Sequence, residues 1–312
     1  MILTVTLNPC IDQTVFVDGL KLHDSNRVVR FETDAGGKGV NLSRVVAELG
    51  GESIATGLLG GGPGAFVRKV LDAQGVRHGF VEIEKDTRTN VAVEDGSGEA
   101  PTSFNAKGPL VSEQEWDALV DKVRALANGA DWVTLGGSLP QGVPVDAYLT
   151  LGWIAKELGA KLALDADGEA ARQGLEAKPD FIKPNKKEAG RLLGRAIESV
   201  EDAVFAAEEL LQYLADGGIC IVSMGPEGAV LATRQETLIG KPIEIESNST
   251  IGAGDSMIGG VLLSLVQGET LRKAFALGVA AGTATAMTDG AEIARRSVVD
   301  ELLPRVQIES AH

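Results

Sequence analysis

Short apolar runs alternate with longer stretches whose apolar positions recur every three or four residues, almost from end to end of the chain. That is the pattern of a parallel sheet covered by helices. The runs predict strands over residues 2–7, 53–59, 132–135, 161–164, 181–183, 219–222 and 229–232. The amphipathic stretches predict helices over 40–49, 64–74, 112–127, 145–158, 188–193, 200–215, 255–266 and 271–287. Ser112, followed three residues later by Glu115, is a helix start signal for the third of these.

Two regions break the alternation. Residues 12–34 and 80–106 are rich in β-formers, as in Thr14-Val15-Phe16-Val17 and Asn90-Val91-Ala92-Val93, and carry no helical period. They predict antiparallel ribbons standing off the main sheet, a candidate lid. With neither a low-complexity linker nor a repeat, the simplest organisation is one α/β domain over 1–312 with this small lid.

Open parallel sheets bind ligands at the carboxyl ends of their strands. Here those ends repeatedly carry polar groups or glycine: Asn8-Pro9-Cys10-Ile11-Asp12, Gly136-Gly137-Ser138, Asp165, Pro184-Asn185 and Ser223-Met224-Gly225. Five such ends describe a rim, although turns and caps use many of the same residue types.

Composition narrows the field. The chain has 312 residues, ample for a sizeable core. A net charge of −15 argues against nucleic acid or an anionic membrane as partner. Cys10 and Cys220 cannot build a disulfide framework, which suits a cytoplasmic location. The three histidines, His23, His78 and His312, are scattered, which disfavours a His-based metal site or a Ser-His-Asp triad. The run 2–7 reads as a strand with no basic leader, which argues against a signal peptide. Residues 274–287 form the most membrane-like stretch, about 14 positions where a span needs about 20. Their Gly278-x-x-x-Gly282 reads better as close helix packing.

The sharpest chemical signal is Thr250-Ile251-Gly252-Ala253-Gly254-Asp255-Ser256, a glycine-lined turn opening an apolar helix. Unpaired N–H groups and the helix dipole attract anions there. A carboxylate in the same turn fits a kinase if Asp255 faces an attacking hydroxyl while the N–H groups face the phosphoryl group. The alternative is that Asp255 only caps the helix. A second glycine-rich turn, Gly36-Gly37-Lys38-Gly39-Val40-Asn41, also opens a helix. Neither GxxxxGK[ST] nor GxGxxG occurs. Arg88 in Thr87-Arg88-Thr89-Asn90, and Arg27, suit a phosphate or plain solvated surface. Asn185 and Glu188 suit Mg²⁺ or a helix cap.

Taken together, Gly36-Gly37-Lys38-Gly39-Val40-Asn41 and Ser249-Thr250-Ile251-Gly252-Ala253-Gly254-Asp255-Ser256 resemble both signatures of the ribokinase-like, phosphofructokinase-B family of sugar kinases. Thr6-Leu7-Asn8-Pro9-Cys10-Ile11-Asp12, Thr87-Arg88-Thr89-Asn90, Gly137-Ser138-Leu139-Pro140, Lys183-Pro184-Asn185-Lys186-Lys187-Glu188 and Ser223-Met224-Gly225 match in order. The similarity spans residues 1–303. It implies a three-layer α/β sandwich with a mainly parallel sheet and a β lid.

The branch it most resembles phosphorylates ketohexose phosphates. The resemblance implies ATP and Mg²⁺, with fructose 1-phosphate to fructose 1,6-bisphosphate as the leading reaction. Tagatose-6-phosphate kinase or minor-type 6-phosphofructokinase is the alternative, and a non-catalytic sugar-phosphate sensor the remote one. Asp255 is then the expected base and Gly252, Ala253 and Gly254 the anion hole. Asp12, Gly37 and Asn41 are expected to bind the sugar, and Lys38, Arg88 and Arg27 its phosphate. Lys183, Asn185, Ser223, Gly225, Gly228 and Thr250 are expected near the nucleotide's phosphates, with Glu188 and Asn185 near magnesium. Val279, Thr283 and Thr288 match adenine-pocket positions. Relatives also imply a homodimer through the lid.

Overall fold

The computed structural model describes residues 1–97, 101–247 and 249–311. Residues 98–100, within the second predicted ribbon, and His312 lie outside the described residues.

The strands and helices follow one another as β1 (Ile2–Thr6), β2 (Cys10–Val17), β3 (Val28–Gly36), α1 (Lys38–Glu48), β4 (Ser53–Leu59), α2 (Gly61–Ala73), β5 (Arg77–His78), β6 (Val81–Glu82), β7 (Arg88–Glu94) and β8 (Thr102–Phe104). Then come α3 (Glu113–Ala127), β9 (Trp132–Gly136), α4 (Ala147–Glu157), β10 (Lys161–Asp165), α5 (Gly168–Leu175), β11 (Phe181–Ile182), α6 (Lys186–Leu193) and α7 (Val200–Leu210). The chain closes with β12 (Ile219–Ser223), β13 (Ala229–Ala232), β14 (Thr237–Gly240), α8 (Ala253–Val266), α9 (Leu271–Ala286), α10 (Arg296–Leu302) and β15 (Ile308–Ser310).

Among the described residues, eleven strands form the main sheet in the order β15-β14-β13-β12-β11-β10-β9-β1-β4-β5, with β6 also on β4. Pairing is parallel from β5 to β12. It is antiparallel from β12 to β15. All five residues of β1 are buried, as a strand covered on both faces requires. Its Leu3 and Val5 face a core shared with α3, α4 and α7. Ile2 faces the other core, made by α1, α8, α9 and α10. These are the three expected layers.

α8 is apolar around its whole circumference, so it must be buried, and it lies between α1 and α9. Glycines permit the approach. A Cβ on Gly260 would sit 2.9 Å from the Leu277 carbonyl oxygen of α9, and one on Gly259 would sit 3.3 Å from Val45 of α1. The Gly278 and Gly282 pair of α9 does pack closely: their Cβ positions lie 2.8 Å from the Met257 oxygen and 3.0 Å from the Ala253 oxygen of α8.

The second sheet has the order β3-β2-β7-β8. Both ribbons are antiparallel as expected, and a parallel pairing of β2 with β7 joins them into one surface. Residues 81–82, predicted in the lid, belong instead to the main sheet through β4. The apolar pattern also did not announce α5, α10, β14 and β15, all of which are short. The helix predicted over 200–215 stops at Leu210 and tightens into a 3-10 turn at Leu211–Tyr213.

Candidate active site

Two helix starts meet at the carboxyl end of β1. The Gly36–Gly39 turn lies against that strand so tightly that side chains are excluded. A Cβ on Gly36 would fall 1.9 Å from Asp12 Oδ2, and one on Gly39 would fall 2.6 Å from Thr6 Oγ1. Gly37 has φ 111°, a backbone state that glycine adopts freely. The Val40 N–H donates to Thr6 Oγ1 at 3.1 Å and so docks α1 on the strand end. That docking aims Asn41 across the site, where its Nδ2 donates to Asp255 Oδ2 at 2.9 Å.

Asp255 is therefore not the cap of α8. The cap position is Gly252, with φ 76°, and no side chain bonds the first turn. By contrast α3, α6 and α7 each begin with a capping box. The N–H groups of the first turn of α8 are thus left toward the cleft. Lys183 adds positive charge beside them, since a Cβ on Gly254 would sit 2.9 Å from its Nζ.

The charges beneath this turn form one buried set. Lys38 Nζ is 2.8 Å from Asp165 Oδ2, and Lys183 Nζ is 4.0 Å from Asp165 Oδ1. Burial opposes the charge of Asp165, yet Lys38 and then Lys183 hold its carboxyl below the usual range. Burial likewise opposes the charge of Lys38, but Asp165 and Asp255 hold its ammonium above its ordinary value. Asp255 differs. Burial pushes its carboxyl up to about 6, Lys38 opposes the rise, Asp165 adds to it, and the Asn41 bond and Lys183 oppose it. A base with this pKa is ionised at neutral pH and still able to hold a proton.

A cavity of about 710 Å³ opens from Asp255. Ile251, Gly252, Gly37, Lys38 and Asn41 line it from the main body, and Asp12 and Asn90 from the second sheet. Asp12 is oriented by Asn90, whose Nδ2 donates to its Oδ1 at 2.9 Å, and by the Cys10 thiol at 3.2 Å. Arg88 lines the same cavity, its guanidinium donating to the Asn8 and Ala106 carbonyls.

Not every expected residue arrives. Arg27 is exposed between β2 and β3 and is not on the cavity wall. Lys38 is on the wall, with its ammonium paired to Asp165. Asp165 ends a strand in the sequence reading without a role; its signal was a carboxylate at a buried strand end.

The nucleotide-side residues lie off this cavity, along neighbouring strand ends. Lys183 and Asn185 follow β11, and Asn185 bridges to Ser223 at the end of β12. Asn185 Oδ1 accepts from the Glu188 N–H, and Glu188 Oε2 accepts from the Asn185 N–H, each at 2.9 Å. The capping reading of this pair is therefore realised. It leaves Glu188 Oε1 outside the box. Glu188 is near enough for its charge to act on Lys38. A single carboxylate with room for water suits Mg²⁺, which binds through one or two carboxylates plus substrate phosphates.

Gly225 and Gly228 have φ 61° and 95° and close the turn between β12 and β13. Gly228 also packs on β14, where a Cβ would be 2.2 Å from the Gly240 oxygen. Thr250 is exposed just before α8. Val279 is buried behind Gly240, and Thr283 is half-buried one turn further along α9. The Thr288 hydroxyl lies 2.8 Å from the Thr285 oxygen and 3.0 Å from the Glu292 oxygen, so it braces the loop after α9.

A doubly covered parallel sheet, an uncapped helix start and a buried carboxylate beside a polar cleft suit a phosphoryl-transfer enzyme. Comparison with known proteins agrees. The model of the pfkB family carbohydrate kinases matches residues 5–296. The chain is 35% identical to the 1-phosphofructokinase of Bacillus subtilis (strain 168) over 308 residues, 99% of each protein. It is 39% identical to the 1-phosphofructokinase of Rhodobacter capsulatus over 285 residues, 89% of each. The crystal structure of phosphofructokinase-2 from Escherichia coli in complex with substrates and products superposes with a TM-score of 0.91 at 29% identity, covering 97% of this chain and 98% of that one. The chain belongs to the pfkB family of carbohydrate kinases. It is an ATP-dependent sugar kinase with the ribokinase-like fold.

Proposed function

We propose that this kinase transfers the γ-phosphoryl group of ATP to a free hydroxyl of a phosphorylated ketohexose, converting fructose 1-phosphate to fructose 1,6-bisphosphate. The observation that carries the reading is Asp255: buried, hydrogen-bonded to Asn41, at the uncapped start of α8 and on the wall of the cavity. Its carboxylate takes the hydroxyl proton as the sugar oxygen bonds to phosphorus, and ADP departs with the electrons of the broken P–O bond. The N–H groups of Gly252, Ala253 and Gly254, with Lys183, stabilise charge on the phosphoryl oxygens. Asp12 and Asn41 hold sugar hydroxyls so that one oxygen faces Asp255. Ser223, Gly225, Gly228 and Thr250 border the nucleotide phosphates, and Val279, Thr283 and Thr288 the adenine. Glu188 and Asn185 would hold Mg²⁺, directly or through water, and the bound ion would neutralise phosphate charge.

Fructose 1-phosphate is preferred over tagatose 6-phosphate or fructose 6-phosphate because the two relatives compared by sequence are both 1-phosphofructokinases. The second sheet is the surface through which two copies pair. Val29, Phe31 and Phe104 are 72%, 65% and 61% exposed on it, far more than large apolar groups on a solvated sheet should be.

The test is ADP release with fructose 1-phosphate, fructose 6-phosphate, tagatose 6-phosphate, fructose and ribose. The highest kcat/KM is expected with fructose 1-phosphate. Preference for an unphosphorylated sugar would overturn the assignment.

A further inference from the structure

Arg44 stands where the pattern of α1 calls for an apolar side chain. Val40, four positions before it, and Ala47, three after, pack in a small core shared with β3, β4 and α2. That spacing places Arg44 on the same helix face, and it is only 3% exposed. A buried ion pair stabilises a fold no better than well-packed apolar groups of similar volume often do. Stability alone therefore gives no reason for a guanidinium here, and its partners do.

The donors of Arg44 converge on the root of the second sheet. Nη1 donates to the Ala35 oxygen at 2.8 Å and Nη2 to Asp34 Oδ1 at 3.3 Å. Nε donates to Oε1 of Gln74, the residue that closes α2, at 2.9 Å. Asp34 and Ala35 directly precede the Gly36-Gly37 turn into α1. The planar fork thus clamps β3 to the helix that follows it.

The clamped residues lie against Asp12. Asp34 faces Asp12 across the β2–β3 ladder, and Ala35 faces Ile11. Gly36 comes next, so close that a Cβ on it would fall 1.9 Å from Asp12 Oδ2. Asp34 also brings a second carboxylate beside Asp12. Burial raises the Asp34 carboxyl above its usual range, Arg44 opposes the rise, and Glu292 and Asp12 add to it. Three positions before Arg44 on the same helix, Asn41 bonds Asp255. Helix α1 is therefore fixed to the Asp12 ladder at one point and to the base at another.

We infer that Arg44 is a positioning residue for the kinase reaction: it locks the root of the second sheet to α1 and so fixes the Asp12 carboxylate relative to Asp255. Arg44 does not line the cavity and acts only through its backbone and carboxylate partners. This role depends on Asp12 holding sugar hydroxyls, part of the function proposed for the site.

Steady-state kinetics and urea denaturation of four proteins test it: wild type, Asp12→Asn, Arg44→Lys, and Arg44→Met combined with Asp34→Asn. The double variant removes both buried charges together and strands neither. It should raise KM for fructose 1-phosphate, or for whichever sugar the wild type prefers, at least about tenfold, with KM for ATP within about twofold. Arg44→Lys keeps the charge but loses the fork, so the same KM should rise only about threefold. Asp12→Asn should raise it at least as far as the double variant does. A folded double variant with an unchanged sugar KM overturns the positioning role, even where kcat falls, since lost stability lowers only the active fraction. If the double variant does not fold, Arg44→Lys decides, and an unchanged sugar KM overturns the role. If Asp12→Asn raises the sugar KM and the Arg44 variants do not, only the role of Arg44 falls. If Asp12→Asn leaves it unchanged, the reading of Asp12 falls and the role of Arg44 with it.

Discussion

Asn41 Nδ2 donates to Asp255 Oδ2 across 2.9 Å, joining the first turn of α1 to the first turn of α8 between residues 214 positions apart. The bond makes one site of two glycine-rich turns. It also opposes the rise that burial imposes on the Asp255 carboxyl, which stands at about 6 with the bond in place. Because the base must be ionised, kcat/KM should fall as pH drops through about 6. Asn41→Ala removes a stabiliser of the charged form, so its acidic limb should move to higher pH. A pH–rate profile in which the limb stays still or moves down would contradict this role.

Asp255→Asn should reduce turnover by at least about 100-fold while leaving ATP binding nearly intact. The same variant should be more stable than the parent. The folded pKa of Asp255 is raised, so its favourable contribution is complete below the unfolded value and is lost as pH rises through about 6. Above that pH the parent keeps a buried charge that the variant lacks. Chemical denaturation at pH 8 should show a gain of about 1–3 kcal/mol that shrinks toward pH 5.

Asp165 behaves in the opposite sense. Its carboxyl is depressed by Lys38 and Lys183, so its contribution is present at neutral pH and is lost as pH falls below the usual carboxylate range. Asp165→Asn leaves the buried Lys183 ammonium and the half-buried Lys38 without their shared counter-charge and should cost about 1–3 kcal/mol at pH 7. It also removes a charge that raises the Asp255 carboxyl, so the acidic limb of the rate profile should move down. Melting curves and pH profiles of the one variant check both effects.

Gly282 lies against the phosphoryl turn from behind, with its Cβ position 3.0 Å from the Ala253 oxygen. Gly282→Val must push the start of α8 away from α9. A stability loss of about 1–3 kcal/mol is expected, with a fall in kcat out of proportion to it. Wild-type kcat in a folded variant would show that the turn tolerates displacement.

The apolar face of the second sheet yields an assembly prediction. Phe31→Glu places a charge on a surface where Val29, Phe31 and Phe104 are exposed. Sedimentation should show a dimer for the parent and a monomer for the variant. A monomeric parent would remove the pairing proposed for this face.

The layers, most elements of the main sheet and the catalytic turn were legible because each depends on local pattern. Buried parallel strands read as apolar runs, and a glycine turn before an apolar helix carries its own signature. The short α5, α10, β14 and β15 were not, since two turns or three to four residues hold too little periodicity. The capping box at Asn185 and Glu188 was legible as a spacing, but whether it served a cap or an ion was not. Charge pairing across the fold had no local trace. Lys38 and Asp165 are 127 positions apart and meet only because β10 runs near β1 with β9 between them. The Gly252–Asp255 turn was thus set by the sequence as an anion-attracting helix start. That Asp255 is no cap, that its charge is strained by burial, and that Asn41 holds it toward the cleft were decided by tertiary packing, because burial and long-range partners exist only once the sheet and both helices have assembled.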